Sequence, residues 1–215
     1  VAQQIVADGV VLRTQNGQQF HGDCVVYCTG NLPQIERAVP ATLDQLPVKL
    51  IKGQISQFPV PKHQPFALKT AICADGYAMP VLVSNENQLL VTGATFHPRA
   101  SDLCSTQEDN AENLRKLGLI SPAFQALLKS PSVTGPIIGR ASVRAALPDY
   151  LPLVGLLQAN TYINTGYGSK GLALAPLAGE IIADMISDNP LPLENDLIRR
   201  LSPARFLGRV KTGNV

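Results

Sequence analysis

The chain has 215 residues, enough to bury one sizeable core or one core plus a smaller lobe. Its composition is 45% hydrophobic and 16% charged, and its 17 glycines and 17 prolines predict many turns. A formal net charge of +2 is too small to indicate nucleic-acid binding by the chain as a whole. No apolar run approaches the roughly 18 residues that a membrane span needs, so we expect a globular protein without a membrane anchor.

The N-terminal sequence VAQQIVADGVVLRT lacks the basic start and the long apolar segment of a signal peptide. It indicates a chain that is entered partway through a domain. The four cysteines form no C-x-x-C pair, and they are Cys24, Cys28, Cys73 and Cys104. Unclustered thiols favour a reducing, cytoplasmic compartment, and we expect neither a disulfide framework nor a metal site.

The first segment, residues 4–30, predicts strands separated by the turns ADGV and QNGQ. The run from Cys24 to Cys28 is apolar throughout, which predicts a strand buried on both faces. It ends at Thr29 and Gly30, where the backbone could approach a ligand closely or could simply leave the sheet.

The middle of the chain changes character. Residues 47–98 contain β-rich segments divided by turns, which predict a mainly antiparallel sheet. Residues 106–129 predict a helix capped by Thr106 or Asp109, with Leu114, Leu117 and Leu119 facing inward, and a second short helix after Pro122.

The last part of the chain returns to extended segments and ends in helices. Residues 161–188, TYINTGYGSKGLALAPLAGEIIADMISD, predict a strand, a glycine turn and a helix, and a short helix follows at ENDLIRRL. We assign residues 1–45 and 140–190 to one parallel-sheet domain of an α/β (α+β mix) fold. Residues 46–139 form a β-rich insertion, and residues 191–215 form a C-terminal tail.

The glycine turn carries the spacing Gly166-x-Gly168-x-x-Gly171, which is the dinucleotide-binding fingerprint. The second strand and the carboxylate that should follow it are missing, so a nicotinamide dehydrogenase is the least favoured interpretation. The glycines could let backbone N–H groups and the helix N-terminus face another electron-rich group, such as the N1/C2=O edge of a flavin. They could equally serve close packing of the helix on the strand.

Arg144 lies in the apolar stretch VRAALPDYLPLVG and needs a carboxylate partner if it is buried. Asp149 could supply that partner within the chain, or a substrate carboxylate could fill the bidentate fork. The turn at Asp75 and Gly76 is most simply a hairpin, although Tyr77 could face a pocket. The tail carries basic residues that form either a solvated face or a phosphate contact, and they are Arg199, Arg200, Arg205, Arg209 and Lys211.

These segments together resemble the D-amino-acid-oxidase-like family of FAD-dependent amine oxidoreductases, which includes glycine and sarcosine oxidases. The shared features are the strand end VVYCTG, a β-rich substrate domain, VRAALPDYLPLVG and the terminal INTGYGSKGLALAPLAGEIIADMI. Five further motifs are similar to the oxidoreductase domain of bacterial bifunctional tRNA-modifying enzymes that make 5-methylaminomethyl-2-thiouridine; they are GQIS, CADGYAMP, VTGATFHPR, GSKGLALAPL and PLPLENDLIRRLSPARF. The family's N-terminal G-x-G-x-x-G and the fused methyltransferase domain are not in this sequence, so the resemblance implies a C-terminal part of such an enzyme.

The resemblance also implies roles for individual residues. Arg144 matches the arginine that holds the substrate carboxylate, and Thr29 and Gly30 match the strand end near the FAD. The loop beside the flavin ring corresponds to Gly166, Tyr167, Gly168, Ser169, Lys170, Gly171 and Leu172. Small residues at positions 168 and 169 favour a large substrate over glycine.

The implied activity is FAD-dependent removal of the carboxymethyl group from carboxymethylaminomethyl-(2-thio)uridine at the tRNA wobble position. One alternative is an oxidase or dehydrogenase of glycine, sarcosine or D-amino acids. Another is a catalytically silent piece that binds tRNA or has a structural role.

Overall fold

The computed structural model describes residues 2–6, 9–14, 16–30, 45–61, 68–82, 87–98, 102–130, 133 and 135–207. Two residues considered above, Arg209 and Lys211, lie outside these ranges. The chain divides into two compact units, one made of Val1–Leu50 and Arg144–Val215 and the other of Ile51–Val143. The assignment of residues 46–139 to substrate binding stays a prediction.

The first unit begins with a three-stranded antiparallel meander. Its strands are β1 (Ala2–Val6), β2 (Gly9–Arg13) and β3 (Gln19–Gly22), in the order β1-β2-β3. The predicted turn at QNGQ is present, since the N–H of Gly17 donates to the carbonyl of Thr14 at 3.0 Å between β2 and β3.

A second sheet of this unit carries the strand end VVYCTG on its outer strand. Its strands are β4 (Val25–Tyr27), β11 (Leu153–Gln158) and β12 (Thr161–Thr165), in the order β11-β12-β4. The pairing of β12 with β4 is parallel, whereas β11 and β12 pair antiparallel. The expected parallel sheet is therefore wrong for β11, because the two-residue turn between β11 and β12 permits only an antiparallel hairpin.

Both faces of this second sheet contact a hydrophobic cluster. Tyr27 and Val25 belong to the cluster that includes Leu153 and Ile163, and Val26 packs against the opposite one. Apolar clusters thus lie on both sides of the strand, but the prediction that the whole run from Cys24 to Cys28 is buried is wrong, since only Tyr27 is buried and Cys28 is exposed. The chain then closes with α3 (Gly171–Ser187), α4 (Asn195–Leu201) and a 3-10 turn at Pro203–Arg205.

The second unit contains most of a six-stranded sheet. Its strands are β5 (Lys49–Pro61), β6 (Ile72–Cys73), β7 (Tyr77–Leu82), β8 (Asn87–Gly93), β9 (His97–Pro98) and β10 (Ile138–Ala146). They run in the order β10-β5-β8-β7-β6, and β9 pairs with β5. The pairs β5–β8, β5–β9, β6–β7 and β7–β8 are antiparallel, as the sequence predicts. Asp75 and Gly76 form the hairpin turn between β6 and β7, where the N–H of Ala74 donates to the carbonyl of Gly76 at 2.7 Å.

Two helices pack on this sheet: α1 (Gln107–Ile120) and α2 (Pro122–Leu128). Thr106 caps α1, accepting a hydrogen bond from the N–H of Asp109 at 3.1 Å. Leu117 is fully buried and Leu114 half-buried, but Leu119 is 69% exposed, so its predicted inward position is wrong. Two residues along a helix turn a side chain about 200° away, and the buried face of α1 runs through Asn113 and Leu117 instead.

The contact between α1 and the sheet is unusually polar. Gln54 is fully buried, and its side-chain amide donates to the carbonyl of Thr106 at 2.8 Å and accepts from the N–H of Thr106 at 2.8 Å. Asn113 donates to the carbonyl of Gln54 at 2.9 Å and to the hydroxyl of Ser56 at 3.1 Å. These bonds fix the start of α1 over β5, because buried polar groups are costly unless partnered.

None of the helices among the described residues combines the length and the apolar character required to cross a membrane. Across the same ranges, no three His, Cys, Asp or Glu side chains come together in an arrangement that could hold a metal ion. The four cysteines are free thiols.

Candidate functional site

The candidate site begins at Arg144 on β10. Its side chain is half-buried, and it forms no hydrogen bond or ion pair with the residues that the structure describes. Asp149, the internal partner considered from the sequence, binds Arg205 instead, with the Arg205 Nε 2.8 Å from the Asp149 Oδ2. The alternative of an Arg144 salt bridge to Asp149 is therefore wrong, and the Arg144 guanidinium is available to a ligand.

The glycine loop, residues 166–171, is attached to the backbone beside Arg144. The N–H of Gly168 donates to the carbonyl of Ala145 at 2.8 Å, and Ala146 forms a β-bridge with Tyr167. The residue that follows Arg144 is thus hydrogen-bonded to the middle of the loop. The structure brings the arginine and the loop together, although 21 or more residues of sequence separate them.

Gly166 and Gly168 have backbone conformations that favour glycine, with φ of +80° and +57°. A Cβ on Gly166 would also lie 2.6 Å from the Cδ1 of Leu147, closer than real Cβ atoms approach. Close packing, one of the two interpretations of this motif, is therefore real at Gly166. At Gly168 only the backbone conformation favours glycine, since a Cβ there would lie 3.7 Å from its nearest neighbour, the Ala146 Cβ.

The N-terminus of α3 is open. Its N-cap, Lys170, provides no side-chain cap, and the N–H groups of Gly171 and Leu172 have no acceptor among the described residues. Ser169 and Lys170 are exposed, and the Leu172 side chain is fully exposed. Unpaired N–H groups and the helix dipole favour negative charge at this point.

The strand end at Thr29 and Gly30 lies at the same edge of the sheet as the glycine loop, because β4 and β12 run parallel. The hydroxyl of Thr165, the last residue of β12, donates to the carbonyl of Gly30 at 2.7 Å. Gly30 has a φ of +70°, and a Cβ there would meet no atom within 4 Å. The carboxyl ends of adjacent parallel strands are where open α/β sheets bind ligands.

Thr165 was missed by the sequence reasoning. It is 1% exposed, and its hydroxyl links the strand end at Gly30 to the strand that leads into the glycine loop. In the sequence it looks like any other β-branched residue of a strand. The only signal was its position, immediately before Gly166 at the end of an apolar run.

Tyr167 points its phenol back toward the sheet rather than outward. Its hydroxyl donates to the Oδ1 of Asn164, a second residue that sequence reasoning missed. The pKa of Tyr167 is raised to about 12, mainly by burial and to a smaller extent by the nearby Cys28, while the bond to Asn164 opposes the rise. The phenol is therefore neutral at physiological pH.

These features fit a flavin. Positive-φ glycines keep side chains away from the loop, the α3 N–H groups are unpaired, and the strand end beside them is open. Such a surface suits a flat, electron-rich ring edge that gains negative charge on reduction.

Comparison with known proteins agrees with this geometry. The family model described as FAD dependent oxidoreductase (DAO) matches residues 1–185. The chain is 40% identical over 197 residues to a protein of Hahella chejuensis, covering 89% of this chain, and 34% identical over 231 residues to one of Chromohalobacter salexigens, covering 94%. Both relatives are named tRNA 5-methylaminomethyl-2-thiouridine biosynthesis bifunctional protein MnmC. The chain spans 30% and 32% of their respective lengths.

Solved structures show the same fold. The glycine oxidase of Geobacillus kaustophilus superposes with a TM-score of 0.75 at 22% identity, covering 96% of this chain and 52% of that one. The iminodiacetate oxidase of Chelativorans sp. BNC1 superposes with a TM-score of 0.69 at 22% identity, covering 94% of this chain and 52% of that one. The mixed α/β architecture is therefore that of the D-amino-acid-oxidase-like proteins, and the chain belongs to the DAO family of FAD-dependent oxidoreductases.

Proposed function

We propose that this chain is part of an enzyme that oxidatively removes the carboxymethyl group from carboxymethylaminomethyl-(2-thio)uridine at the wobble position of tRNA. The observation that carries the proposal is the half-buried Arg144, which has no partner among the described residues and adjoins the open glycine loop. The names of the relatives, which specify biosynthesis of a methylaminomethyl-thiouridine in tRNA, support this choice of substrate.

The proposed substrate is an N-substituted glycine, and its carboxylate is the group that Arg144 would bind. A guanidinium offers two parallel N–H donors that match a carboxylate, and partial burial strengthens such a pair. Holding the carboxylate fixes the position of the neighbouring methylene, which is the carbon to be oxidised. Positioning of this kind contributes several kcal/mol to oriented reactions.

The overall conversion is balanced by one water molecule. The glycine methylene loses two electrons and a proton together with the amine proton, forming an imine, and water hydrolyses the imine to glyoxylate and the aminomethyl nucleoside. FAD, when bound, supplies the two-electron oxidation.

The residues of this chain would hold the flavin by backbone rather than by side chains. The N–H groups of Gly171 and Leu172 and the positive end of α3 would face the electron-rich edge of the ring and stabilise negative charge there. Thr29 and Gly30 would line the neighbouring strand end, and Gly168 would let the loop approach closely. We assign no side chain the role of acid or base, because a neutral amine needs neither.

The wider context of the proposal follows from the relatives. Their names specify bifunctional proteins, and this chain spans under a third of each, so we propose a methyltransferase domain in the same protein that methylates the aminomethyl product. Residues 46–139 would help to bind the substrate, and a tRNA substrate would place the enzyme in the cytoplasm.

The test uses the purified protein at its natural full length, loaded with FAD and incubated with tRNA that carries the carboxymethylaminomethyl group. Mass spectrometry of the nucleosides should show loss of the carboxymethyl mass with the wild-type protein. Arg144→Ala should lose this activity while retaining bound flavin, and Arg144→Lys should keep a small part of it. Flavin absorbance serves as the control for folding of the site.

An unchanged nucleoside, with the flavin reduced instead by sarcosine or glycine, would overturn the tRNA substrate and favour the small-amine oxidase, whose fold is that of the glycine oxidase above. Failure of the protein to bind FAD at all would favour the catalytically silent alternative.

A further inference from the structure

Tyr150 has a backbone conformation that a bulky side chain rarely adopts. Its φ is +59°, in the left-handed region that favours glycine, and its side chain is 76% exposed. Neither burial nor a hydrogen bond of its hydroxyl to the described residues accounts for the aromatic ring at this position. A strained, exposed tyrosine of this kind indicates a functional contact.

The loop that carries Tyr150 is held rigidly. Arg205 donates to both carboxylate oxygens of Asp149, at 2.8 and 3.4 Å, and to the carbonyl of Leu151 at 2.9 Å. Asp149 in turn accepts from the N–H of Leu151 at 3.1 Å. The residues on either side of Tyr150 are thus fixed by one guanidinium, and the ring is presented with little freedom of its backbone.

This loop adjoins the candidate site. Its two ends, Leu147 and Leu153, both lie against Gly166, since a Cβ on that glycine would be 2.6 Å from the Leu147 Cδ1 and 3.6 Å from the Leu153 backbone nitrogen. Tyr150 therefore projects from the segment that joins the Arg144 strand to the sheet beside the glycine loop.

A surface pocket of about 530 Å³ opens beside the same loop. It is lined by Asp149, Leu151, Asp196, Arg199, Arg200 and Arg205. Arg200 is exposed and forms no ion pair with the described residues. Arg199 pairs with Asp196, and both side chains are 77% exposed, so water weakens that pair and a phosphate could replace it.

We propose that Tyr150 and Arg200 form a contact surface for single-stranded RNA, with the Tyr150 ring stacking on an unpaired base and Arg200 binding a backbone phosphate. The proposal rests on the function proposed above and names the chain's own contact with that substrate. The residues on either side of Tyr150, Asp149 and Leu151, line the same pocket as Arg200. Proteins bind unpaired nucleotides with exposed aromatic rings and cations on one surface, because every base has a face that can stack and every nucleotide carries a charge. The anticodon loop around a wobble nucleotide offers both groups.

The test measures binding of a fluorescently labelled anticodon stem-loop RNA to the FAD-loaded protein at its natural full length. Tyr150→Gly should weaken binding roughly fivefold to a hundredfold, the effect of one lost stacking contact, and Tyr150→Phe should stay within about twofold of wild type. Tyr150→Gly should at the same time keep or raise the thermal midpoint, since glycine adopts a φ near +59° without strain. A folding defect therefore cannot imitate the expected result.

Arg200→Ala should reduce the slope of log affinity against log salt by roughly 0.7 to 0.9, the change for one lost phosphate contact. Lys129→Ala, which removes an exposed positive charge at the end of α2, is the matched control and should leave the slope unchanged. Wild-type affinity in Tyr150→Gly, no RNA binding by the wild-type protein, or a change of oligomeric state in Tyr150→Gly in place of weaker RNA binding would each overturn the proposal. Turnover of modified tRNA by the wild-type protein, measured in parallel, reports separately on the proposed function.

Discussion

The Asp149 carboxylate is bound by the Arg205 side chain, whose Nε lies 2.8 Å from Oδ2 and whose terminal nitrogen lies 3.4 Å from Oδ1. The two residues are 56 positions apart in the sequence, and the guanidinium also donates to three backbone carbonyls. This pair fixes the loop after β10 to the last turn of the described chain, and it leaves Arg144 for a ligand.

The first prediction concerns the dependence of stability on pH. Burial alone would raise the pKa of Asp149, but Arg205 and the N–H of Leu151 hold it below its ordinary value of 3.8. Because the folded-state pKa is depressed, the pair stabilises the fold above that value and loses its effect as the pH falls through the folded-state pKa. Asp149→Asn should lower the free energy of unfolding by about 1–2 kcal/mol at pH 7 and much less in acid, as measured by urea denaturation across pH. An equal loss at both ends of the pH range would show that the charge of Asp149 is not what matters.

Substitutions in the glycine loop should separate steric demand from backbone strain. Gly166→Ala faces both a positive φ and a contact of 2.6 Å with Leu147, and we expect a loss of about 2–4 kcal/mol with weaker FAD binding. Gly168→Ala faces the positive φ alone and should lose about 1 kcal/mol. Gly171→Ala, whose Cβ would lie 3.7 Å from the Tyr167 Cβ, should be tolerated. Chemical denaturation and flavin titration check the series, and equal losses at all three positions would contradict it.

Thr165 should matter through its hydroxyl and not through its shape. Thr165→Val removes the bond to the carbonyl of the exposed Gly30, 2.7 Å long, so we expect a loss of about 0.5–1.5 kcal/mol, the usual net contribution of one hydrogen bond. Thr165→Ser keeps the hydroxyl and should lose less stability and retain FAD affinity. The comparison is made by calorimetry with and without FAD. Similar FAD affinity in Thr165→Val and wild type would show that the strand end at Gly30 does not depend on this bond.

The raised pKa of Tyr167 predicts that the folded protein loses stability in alkali. Its pKa in the folded protein is raised to about 12 by burial, above the ordinary value of 10.0, so the unfolded chain ionises first as the pH rises. Stability should therefore fall between these two values, and Tyr167→Phe should remove part of that fall. Burial also raises the pKa of Tyr27, so the variant is needed to separate the two residues. Denaturation in the alkaline range is the measurement, and an unchanged pH profile in Tyr167→Phe would refute the assignment.

Gln54 should be a main determinant of the second unit. Gln54→Ala leaves the N–H and the carbonyl of Thr106 without their side-chain partner and creates a cavity, so we expect a loss of about 2–4 kcal/mol. Gln54→Glu keeps the shape of the side chain but places a carboxylate against the Thr106 carbonyl and the Asn110 Oδ1. This variant should therefore be no more stable than Gln54→Ala at pH 7. If the glutamate variant is as stable as wild type at neutral pH and no more stable in acid, the donor role of Gln54 is refuted.

The local features of the fold were predictable because they depend on neighbours in sequence. Thr106 caps α1, Pro122 starts α2, and the turn at Gly17 joins β2 to β3, as their residue types require. The glycine loop was predictable for the same reason, since positive φ values such as those of Gly166 and Gly168 favour glycine. The cofactor role proposed for that loop was not predictable from spacing alone and came from its similarity to a family.

Features set by distant partners could not be predicted. The nearest carboxylate to Arg144 in sequence is Asp149, yet the Arg205 guanidinium, 56 residues further on, occupies it. Leu119 lies outward because polar residues of β5 determine which face of α1 is buried, and a hydrophobicity pattern ranks a leucine above Asn113. Sequence periodicity describes an element, whereas its orientation depends on the surface it meets.

The bond between Thr165 and Gly30 joins residues that are 135 positions apart in sequence, at the end of a parallel pair of strands. Contacts of such long range form late, because closing the loop between them costs chain entropy before the contact contributes any stabilising free energy. During synthesis, the backbone groups of β4 that pair with β12 have no partner until β12 has been translated. The whole second unit, from residue 51 to residue 143, emerges in that interval and can fold first. The strand pair that ends at Thr29, Gly30 and the glycine loop is thus completed only after the second unit has been translated.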